Sequence, residues 1–360
     1  MSNDELFDVL VGDVLSCKTC PRMATSKRVL NRGCGPLAAP VMVIGEAPGR
    51  LGADSSQLPF HGDRAGHNFE ELIRLVGLTR AELFITNAVL CNPKDEHGNN
   101  STPVGREVAA CSSFLKRQID LINPSFVVTL GAVALKSLVS IEAHSISLRD
   151  GVRTAIPWYG RLLFPLYHPG QRAMIHRSFA NQSADYQFLA ETVKRSIHGR
   201  RKPIFSAARL DATILADAIL SRVGPISYFA LHKLSYLSEL RHKDEFGERI
   251  TNSYFVRQKD GPYCVDLHPV RLKKAGLDIV VSGGKKPVVA RAAGSLFEED
   301  HRDSLQLSKT ALLVIQEVID KYGSLSDSKL KTIVYLSRPM REILRRERSG
   351  VSQFNAPVVM

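Results

Sequence analysis

The chain has 360 residues, which is enough for two or three domains of ordinary size. Hydrophobic residues make up 44% of it and charged residues 23%, close to the averages of globular proteins, so neither a disordered nor a fibrous class fits. Lysine and arginine number 48 against 36 aspartates and glutamates, a net charge of +12 that favours a polyanionic partner such as nucleic acid or an anionic membrane surface.

Features of a membrane or secreted protein are missing from the sequence. No apolar stretch reaches the roughly 18 residues that a spanning helix needs, and the N-terminus begins with Asp4 and Glu5 rather than a basic, then apolar signal region. We therefore expect a cytoplasmic protein with no membrane partner. Six cysteines are too few for a disulfide scaffold, and in a reducing compartment clustered cysteines more often bind metal or do chemistry.

Apolar runs alternate with helix-like stretches between Val41 and His168. The pattern predicts buried strands at residues 41–45, 83–90, 126–131 and 161–169, and helices at residues 66–77, 105–122 and 132–139. Such alternation is typical of βαβ units, so we expect an α/β fold with a mainly parallel sheet. Ligands of such sheets lie beyond the carboxyl ends of the strands, where Glu46, Asn87, Gly131 and His168 fall.

The composition changes after a last helix predicted at residues 183–197. The basic segment 198–203 reads as a linker, which predicts domains at residues 1–199 and 200–360. The second domain is expected to be mostly helical (α+β), with a strand at 253–258 and a Gly/Lys/Ala-rich loop near 283–295; its helices are predicted at 208–240, 264–275, 307–321 and 326–347. The residues after position 200 include 26 basic and 18 acidic ones, an excess of eight positive charges that leaves an electrostatic role open.

Four of the cysteines have a spacing that suggests a metal site. Cys17 and Cys20 form a C-x2-C pair, Cys91 follows a predicted strand, and Cys111 lies within a predicted helix. Two thiolates that close can reach one metal centre. The second pair, Cys91 and Cys111, is too widely spaced for a zinc ribbon. The four ligands of one metal site would therefore come from three separate elements.

Six motifs follow one another along the first half of the sequence: CKTC (17–20), GEAPG (45–49), PFHGDRAG (59–66), ITNAVLCNP (85–93), CSSFLKRQIDLINP (111–124) and YHPG (167–170). In this order they resemble the iron-sulfur uracil-DNA glycosylases, the fourth class of that superfamily, over about residues 10–197. The resemblance implies DNA as the partner and a [4Fe-4S] cluster on Cys17, Cys20, Cys91 and Cys111. Cys34 and Cys264 fall outside the pattern and are expected to be small buried or surface thiols.

The resemblance also implies two residues that would bind a flipped base. Phe60 would stack on a pyrimidine, and a core phenylalanine is the competing interpretation. The amide of Asn87 would recognise the pyrimidine edge, although asparagine at a strand end is also an ordinary turn-former.

Two further residues would carry the chemistry. Glu46 is expected to orient a water at the anomeric carbon and to stabilise the cationic sugar, with a carboxylate at a helix N-terminus as the alternative. His168 would donate a hydrogen bond to the departing base, although a lone histidine on a loop is more often structural. Gln171, Arg172 and Arg177 lie where related enzymes press a loop into the minor groove, and solvated surface charge explains them equally well.

The sequence departs from the family pattern around the expected pocket. Residues 50–53 replace an acidic pair, His61 and Asp63 are extra polar groups beside Phe60, and residues 91–99 replace an Arg-Pro-Pro run. These changes leave open whether the base is uracil or a modified base.

The second half resembles the Panacea-type antitoxin domain at residues 225–240, 254–267 and 335–347, where a Lys-Leu-x-Tyr-Leu helix precedes a Gly-Pro-Tyr turn. That resemblance implies a binding role and a protein partner; an accessory domain that only adds basic surface is the alternative.

Together these patterns predict a DNA glycosylase that removes uracil or a related base. One alternative is a glycosylase acting on a modified base of foreign DNA in defence, and another is a catalytically weak nucleic-acid-binding or toxin-antitoxin-type regulator.

Overall fold

The structure, a computed structural model, describes residues 1–197, 211–281, 286–292 and 307–360. The chain forms two compact units, Met1–Phe205 and Ser206–Met360. The predicted linker at residues 198–203, and with it the predicted boundary, lies outside the described residues. No helix in the described ranges is long and apolar enough to cross a membrane.

The first unit is built around a five-stranded sheet in the order β2-β1-β3-β5-β4. Its strands are β1 Val41–Gly45, β2 Leu83–Asn87, β3 Phe126–Leu130, β4 Ile156–Trp158 and β5 Arg161–Leu166. β1, β2, β3 and β5 pair in parallel, whereas β4 pairs antiparallel with β5. Every residue of β1, β2 and β3 is buried, which explains their mostly apolar sequences, because such strands are covered on both faces. This confirms the predicted α/β fold.

Helices surround this sheet: α1 Asn3–Ser16, α2 Ala53–Ser56, α3 Arg64–Leu75, α4 Gly105–Ile122, α5 Ala132–Ser137, α6 Leu148–Gly151, α7 Gln171–Met174 and α8 Phe179–Ile197. α1 is not among the helices predicted from the sequence, although Ser2 and Glu5 form a capping box at its start. Phe7 and Leu10 of this helix are fully buried in the same core as Phe84 of β2 and Leu115 of α4. Replacing Phe7 by alanine would therefore cost about 3–5 kcal/mol.

The second unit is mostly helical, as predicted. Its described helices are α9 Ala212–Val223, α10 Tyr228–Phe246, α11 Pro269–Lys274, α12 Lys309–Tyr322, α13 Asp327–Leu336 and α14 Arg338–Arg348. Leu231 and Leu234 of α10 are fully buried, and Ile315 of α12 and Val334 of α13 belong to the same core. α10 is buried along most of its length, so it shows no clear amphipathic period.

Small sheets complete this unit. β7 Phe255–Gln258 and β8 Gly261–Cys264 form a hairpin, and a three-stranded sheet has the order β6-β10-β9. The strands of that sheet are β6 Ile226–Ser227, β9 Leu277–Val280 and β10 Val288–Arg291. Residues 288–291, expected to be part of a loop, are thus a strand. They were missed because the Gly/Lys-rich residues beside them dominate the local composition.

Candidate active site

The carboxyl ends of β1, β2 and β5 meet at a cavity of about 580 Å³. Glu46 follows β1, Asn87 ends β2, His168 lies two residues beyond β5, and all three line the cavity together with Phe60. This brings together the four residues for which the sequence predicted catalysis or base binding. Gly131 also follows its strand at this edge, but it does not line the cavity.

Asn87 offers a hydrogen-bond donor that no described residue accepts. The residue is only 2% exposed, and its Nδ2 has no hydrogen-bond partner among the described residues. A buried donor without a partner costs free energy, so native structures rarely keep one unless a ligand or water satisfies it. Because Asn87 lines the cavity, a molecule bound there can accept that hydrogen bond.

Phe60 is held against the cavity in a strained conformation. Its φ of +51° lies in the left-handed region, which a bulky residue adopts only when its surroundings impose it. Its ring lies 5.1 Å from the ring of Phe69 and 5.5 Å from that of His168, centroid to centroid. At 8% exposure the residue is thus part of the core on one side and part of the cavity wall on the other.

Gly45, the last residue of β1, provides the close approach that this arrangement needs. A Cβ built on it would overlap Asn87 Oδ1 and lie 2.6 Å from Phe60 Cε2. Any larger residue would therefore separate the amide from the aromatic ring. The first glycine of the GEAPG motif is therefore required by packing within a fully buried strand.

His168 is fixed in one tautomer by its own loop. The backbone N–H of Gly170 donates to His168 Nδ1 at 3.0 Å, so in the neutral ring Nε2 carries the proton. Burial lowers the pKa of this imidazole, and the nearby charge of Asp63 only partly opposes that effect. The side chain is therefore a neutral N–H donor on the cavity wall at physiological pH.

Glu46 lies in a loop rather than at a helix N-terminus. The next helix, α2, begins only at Ala53, so the alternative interpretation of Glu46 as a helix-capping carboxylate does not apply. Burial raises the pKa of Glu46, which makes its carboxylate a stronger base than one in water. Its backbone carbonyl accepts the N–H of Val89 at 3.0 Å, which ties the loop to the end of β2.

The segment after His168 divides into exposed and internally held residues. Gln171 and Arg172 are exposed in α7 and line the cavity. Arg177 instead donates from Nε to Asp185 Oδ2 at 2.6 Å and lies over the Tyr167 ring, so its guanidinium holds the segment in place. Ile175, between Arg172 and Arg177 in the sequence, is an apolar side chain that is 82% exposed. It was not among the residues predicted to contact DNA, which were chosen for their polar and charged side chains.

The two extra polar residues beside Phe60 have different positions. Asp63 lines the cavity and accepts the N–H of Gly66 at 2.8 Å as the N-cap of α3, whereas His61 is exposed and lies outside the lining. Of these two residues, only Asp63 adds a polar group to the cavity wall.

The four cysteines Cys17, Cys20, Cys91 and Cys111 line a second, small cavity of about 20 Å³. Burial raises the pKa of Cys91 to about 12 and that of Cys111 to about 11, and the thiols raise one another's pKa further. Arg28 also lines this cavity, and its Nε is a buried donor without a partner among the described residues. A group that binds thiolates and accepts a hydrogen bond would relieve both costs.

The number of cysteines around this cavity matches the number of thiolates that a [4Fe-4S] cube takes, one at each iron. In the described ranges, no three His, Cys, Asp or Glu side chains are arranged to hold one metal ion. Cys34 and Cys264 are buried elsewhere, in the two main cores.

Comparison with known proteins agrees with this geometry. Residues 32–193 match the family described as the uracil DNA glycosylase superfamily. The type-4 uracil-DNA glycosylase of Thermotoga maritima is 37% identical over 169 residues, which cover 47% of this chain and 83% of that protein. That of Archaeoglobus fulgidus is 31% identical, covering 51% of this chain and 90% of that protein. The chain belongs to the uracil-DNA glycosylase superfamily.

Similarity within the superfamily extends to a second type. The type-5 uracil-DNA glycosylase of Pyrobaculum aerophilum is 27% identical over 192 residues, covering 45% of this chain and 82% of that protein. Residues 231–339 match a different family, described as antitoxin SocA-like, Panacea domain. The resemblances proposed for both halves of the sequence are thus confirmed.

Arg80 of this superfamily domain could not be recognised from the sequence, because it belongs to no local motif. Arg80 donates from Nη2 to Pro59 O at 2.8 Å and from Nη1 to Phe60 O at 3.4 Å, and it pairs with Glu70 at 2.7 Å. These contacts hold the backbone on which Phe60 keeps its positive φ. Only the tertiary structure shows that residue 80 supports residue 60.

Proposed function

We propose that this protein is a DNA glycosylase that hydrolyses the N-glycosidic bond of uracil in DNA and leaves an abasic site. The observation that carries the proposal is the unsatisfied Nδ2 donor of Asn87, buried in the same cavity as Phe60, Glu46 and His168. Uracil presents carbonyl acceptors on a flat ring, which is the chemistry that this donor and the aromatic wall would recognise.

Recognition requires the base to leave the DNA stack. A flipped uracil would stack on the exposed part of Phe60 and accept a hydrogen bond from the Asn87 amide. Thymine would present the same carbonyls with an added methyl group. Rejection of thymine would therefore depend on whether the cavity wall leaves room for that methyl group. Gln171, Arg172 and Ile175 would contact the DNA around the flipped nucleotide, with Ile175 inserting as an apolar wedge.

The bond cleaved joins the sugar C1′ to N1 of the base. Its electron pair leaves with the base, and the neutral His168 donates its Nε2–H toward the carbonyl on which negative charge develops. The Glu46 carboxylate stabilises the cationic sugar, orients a water molecule at C1′ and accepts the proton that this water loses on attack. Burial favours both roles, since it keeps His168 neutral and raises the basicity of Glu46.

We also propose that Cys17, Cys20, Cys91 and Cys111 hold a [4Fe-4S] cluster. The cluster would tie the end of α1, the segment after β2 and the middle of α4 together, so its role would be structural. Arg28 Nε would donate to a sulfur of the group.

For the second unit, the match of residues 231–339 supports a binding role with a protein partner. The matched range includes most of α10 and the β7–β8 hairpin, which carry the Lys-Leu-x-Tyr-Leu pattern and the Gly-Pro-Tyr turn. A cytoplasmic location and a defence role stay predictions from the sequence.

The test is base release from duplex oligonucleotides that carry a single uracil, thymine or modified base. We expect release of uracil by the wild-type protein and a changed base preference in Asn87→Asp, because aspartate replaces the amide donor by an acceptor. Asn3→Asp, at an exposed asparagine of α1, is the matched control and should behave like the wild type. Mass spectrometry of the released bases identifies the product.

Two outcomes would contradict the proposal. Release of a modified base but not of uracil would support the defence alternative, with Asp63 as the residue that changed the pocket. DNA binding without any base release would support the regulatory alternative. An unchanged base preference in Asn87→Asp would refute only the role of Asn87 in base recognition and would leave the proposed activity standing.

A further inference from the structure

The second unit contains a cavity of about 620 Å³ that the glycosylase chemistry does not use. Aromatic and flat side chains form much of its wall: Tyr228, Phe229, Tyr263 and Pro287. The volume is within the range of small-molecule sites, which are mostly apolar with a few placed polar groups. Its polar groups therefore indicate what it could bind.

His232 contributes a buried donor without a partner. Its Nδ1 accepts the backbone N–H of Cys264 at 3.1 Å, so in the neutral ring the proton is on Nε2. That Nε2 has no hydrogen-bond partner among the described residues, although the side chain is only 3% exposed. The ring lies between Tyr228 and Tyr263, with centroid distances of 4.5 and 4.4 Å, so it cannot turn to find another acceptor.

Lys233, the next residue, is a buried cation with spare donors. Its ammonium group donates to Pro262 O at 2.9 Å and lies 4.6 Å from the centroid of the Phe229 ring. These contacts leave two of its three N–H groups available, and no described carboxylate lies within ion-pair distance of it. A buried charge with no counter-ion is costly unless a ligand supplies one.

The carboxylates at this cavity are already paired. Asp260 lies 2.7 Å from Lys331, and Asp327 accepts from Lys286 and from Ser227, each at 2.7 Å. Since these lysines offset the two aspartates, they leave Lys233 as a buried cation without an ion pair among the residues described. Lys259, an exposed residue of the same lining, adds further positive charge.

We propose that this cavity binds a small aromatic anion, a carboxylate or phosphate group on a flat ring. The anionic group would accept hydrogen bonds from Lys233 and from His232 Nε2, and the ring would pack against Phe229 and Tyr263. The site is separate from the glycosylase cavity, and the proposal does not depend on the glycosylase activity.

The surroundings of Lys233 make this binding sensitive to pH. Burial lowers its pKa to about 7; Asp260 and Asp327 oppose the shift, and Lys331 and Arg257 add to it. His232 contributes no charge, because burial lowers its pKa to about 3. The anion requires the ammonium form, so affinity should be highest below pH 7 and should fall as the pH rises above it. Benzoate stays ionised throughout this range, so only Lys233 would change.

The experiment is calorimetric titration of the full chain with benzoate, phenyl phosphate and neutral benzamide. We expect one benzoate or phenyl phosphate per chain and no binding of benzamide. Lys233→Met keeps the length and the apolar stem, and it should weaken benzoate binding about tenfold or more, the size of one charged hydrogen bond. Lys274→Met, at an exposed lysine of α11 outside the cavity, is the matched control and should bind as the wild type does.

Equal binding of benzoate by the wild type and Lys233→Met, or no binding of either anion, would overturn the proposal. A preference for only one of the two anions would identify the group as a carboxylate or a phosphate. If Lys233→Met does not fold, acetylation of the wild-type chain decides the matter. Mass spectrometry should then show that saturating benzoate protects Lys233 and leaves Lys274 reactive; equal labelling of Lys233 with and without benzoate would refute it.

Discussion

Burial, more than any charged partner, shifts the pKa values of the two proposed catalytic residues. The pKa of Glu46 is raised and that of His168 is lowered, so both groups are moved toward their neutral forms. For His168 the neutral ring is the useful donor, because Gly170 already occupies Nδ1. For Glu46 the same burial produces a stronger base.

We predict that Glu46→Gln and His168→Ala each reduce base release about a hundredfold or more, the usual cost of losing one well-placed base or donor. DNA affinity should stay nearly unchanged, since both groups act mainly in the transition state. Single-turnover rates and binding titrations on the same uracil-containing duplex measure the two effects. Glu96→Gln and His97→Ala, exposed residues of the 91–100 loop, are the controls.

The pH profile gives a second check on Glu46. The base must be ionised to accept a proton, and its pKa is raised, so the rate should fall with decreasing pH at a higher pH than an ordinary glutamate would cause. Glu46→Gln should lose this acidic limb. If the acidic limb persists in Glu46→Gln, it belongs to the titration of another group. If DNA affinity falls in parallel with rate in Glu46→Gln and His168→Ala, these two residues act in ground-state binding instead.

The proposed cluster ligands come from three elements that also contribute to the core of the sheet, through residues such as Phe7, Phe84 and Leu115. Cys17 directly follows α1, Cys91 follows β2 by a few residues, and Cys111 lies in α4. Met23 and Val89 are their main apolar neighbours, in a cluster that is small beside the core of the sheet. The free energy of cluster binding would therefore add to hydrophobic packing where these elements meet at the cysteines.

Substituting serine for Cys17, Cys20, Cys91 or Cys111 should remove the brown colour of anaerobically purified protein and lower its stability. Iron content, visible absorption and thermal unfolding measure these changes. Cys34→Ala is the control and should keep its iron; alanine is preferred because Cys34 is buried, where a serine hydroxyl would itself be destabilising. A colourless wild-type protein that is folded and binds stoichiometric zinc would contradict the cluster.

α14 presents four arginines on one face. Residues 338, 341, 345 and 348 fall within an arc of about 80° on a helix of 3.6 residues per turn. All four are exposed, and no described carboxylate pairs with them, because Glu342 pairs with Arg346 and Glu347 with Arg257. This face accounts for much of the basic excess noted in the second half of the sequence.

If this face contacts DNA phosphates, Arg341→Gln together with Arg345→Gln should flatten the salt dependence of DNA affinity. Removing one phosphate-binding arginine reduces the log–log slope by about 0.9, so we expect a decrease of about 1.8 for the pair. The control is Arg222→Gln together with Arg241→Gln, which removes the same charge. The guanidinium of Arg222 already donates to the carbonyl of Ala218, and that of Arg241 pairs with two glutamates. An unchanged slope in the first double variant would leave protein binding as the role of this face.

The two units have separate hydrophobic cores. One core surrounds the sheet and includes Phe84 and Leu115, and the other surrounds α10 and includes Leu231 and Leu234. The cavity with Glu46 and the four clustered cysteines all belong to the first unit.

We therefore predict that a chain ending at residue 199 folds, keeps its iron and releases uracil from short oligonucleotides at nearly the full rate. Circular dichroism, iron content and single-turnover kinetics compare it with the whole protein. An unfolded or inactive truncated chain would show that the first unit depends on the second, and it would refute the predicted domain boundary.

Local patterns predicted much of the fold. Mostly apolar runs identified β1, β2 and β3, because a strand buried on both faces needs few polar residues. The same reasoning missed β4 and β10, which are short and lie among turn residues. It also predicted that Glu46, Asn87 and His168 would meet, since parallel strands end at one edge.

Chain order and residue type thus determined the α/β fold, the edge that carries the site and the family. The tertiary structure alone decided which atoms are left without partners. The free Nδ2 of Asn87, the Nε2 proton of His168 and the support of Phe60 by Arg80 all depend on contacts between residues distant in sequence or on exact loop geometry. The cavity around Lys233 is of the same kind, because burial and the pairing of nearby charges are properties of the packed molecule and not of a sequence motif.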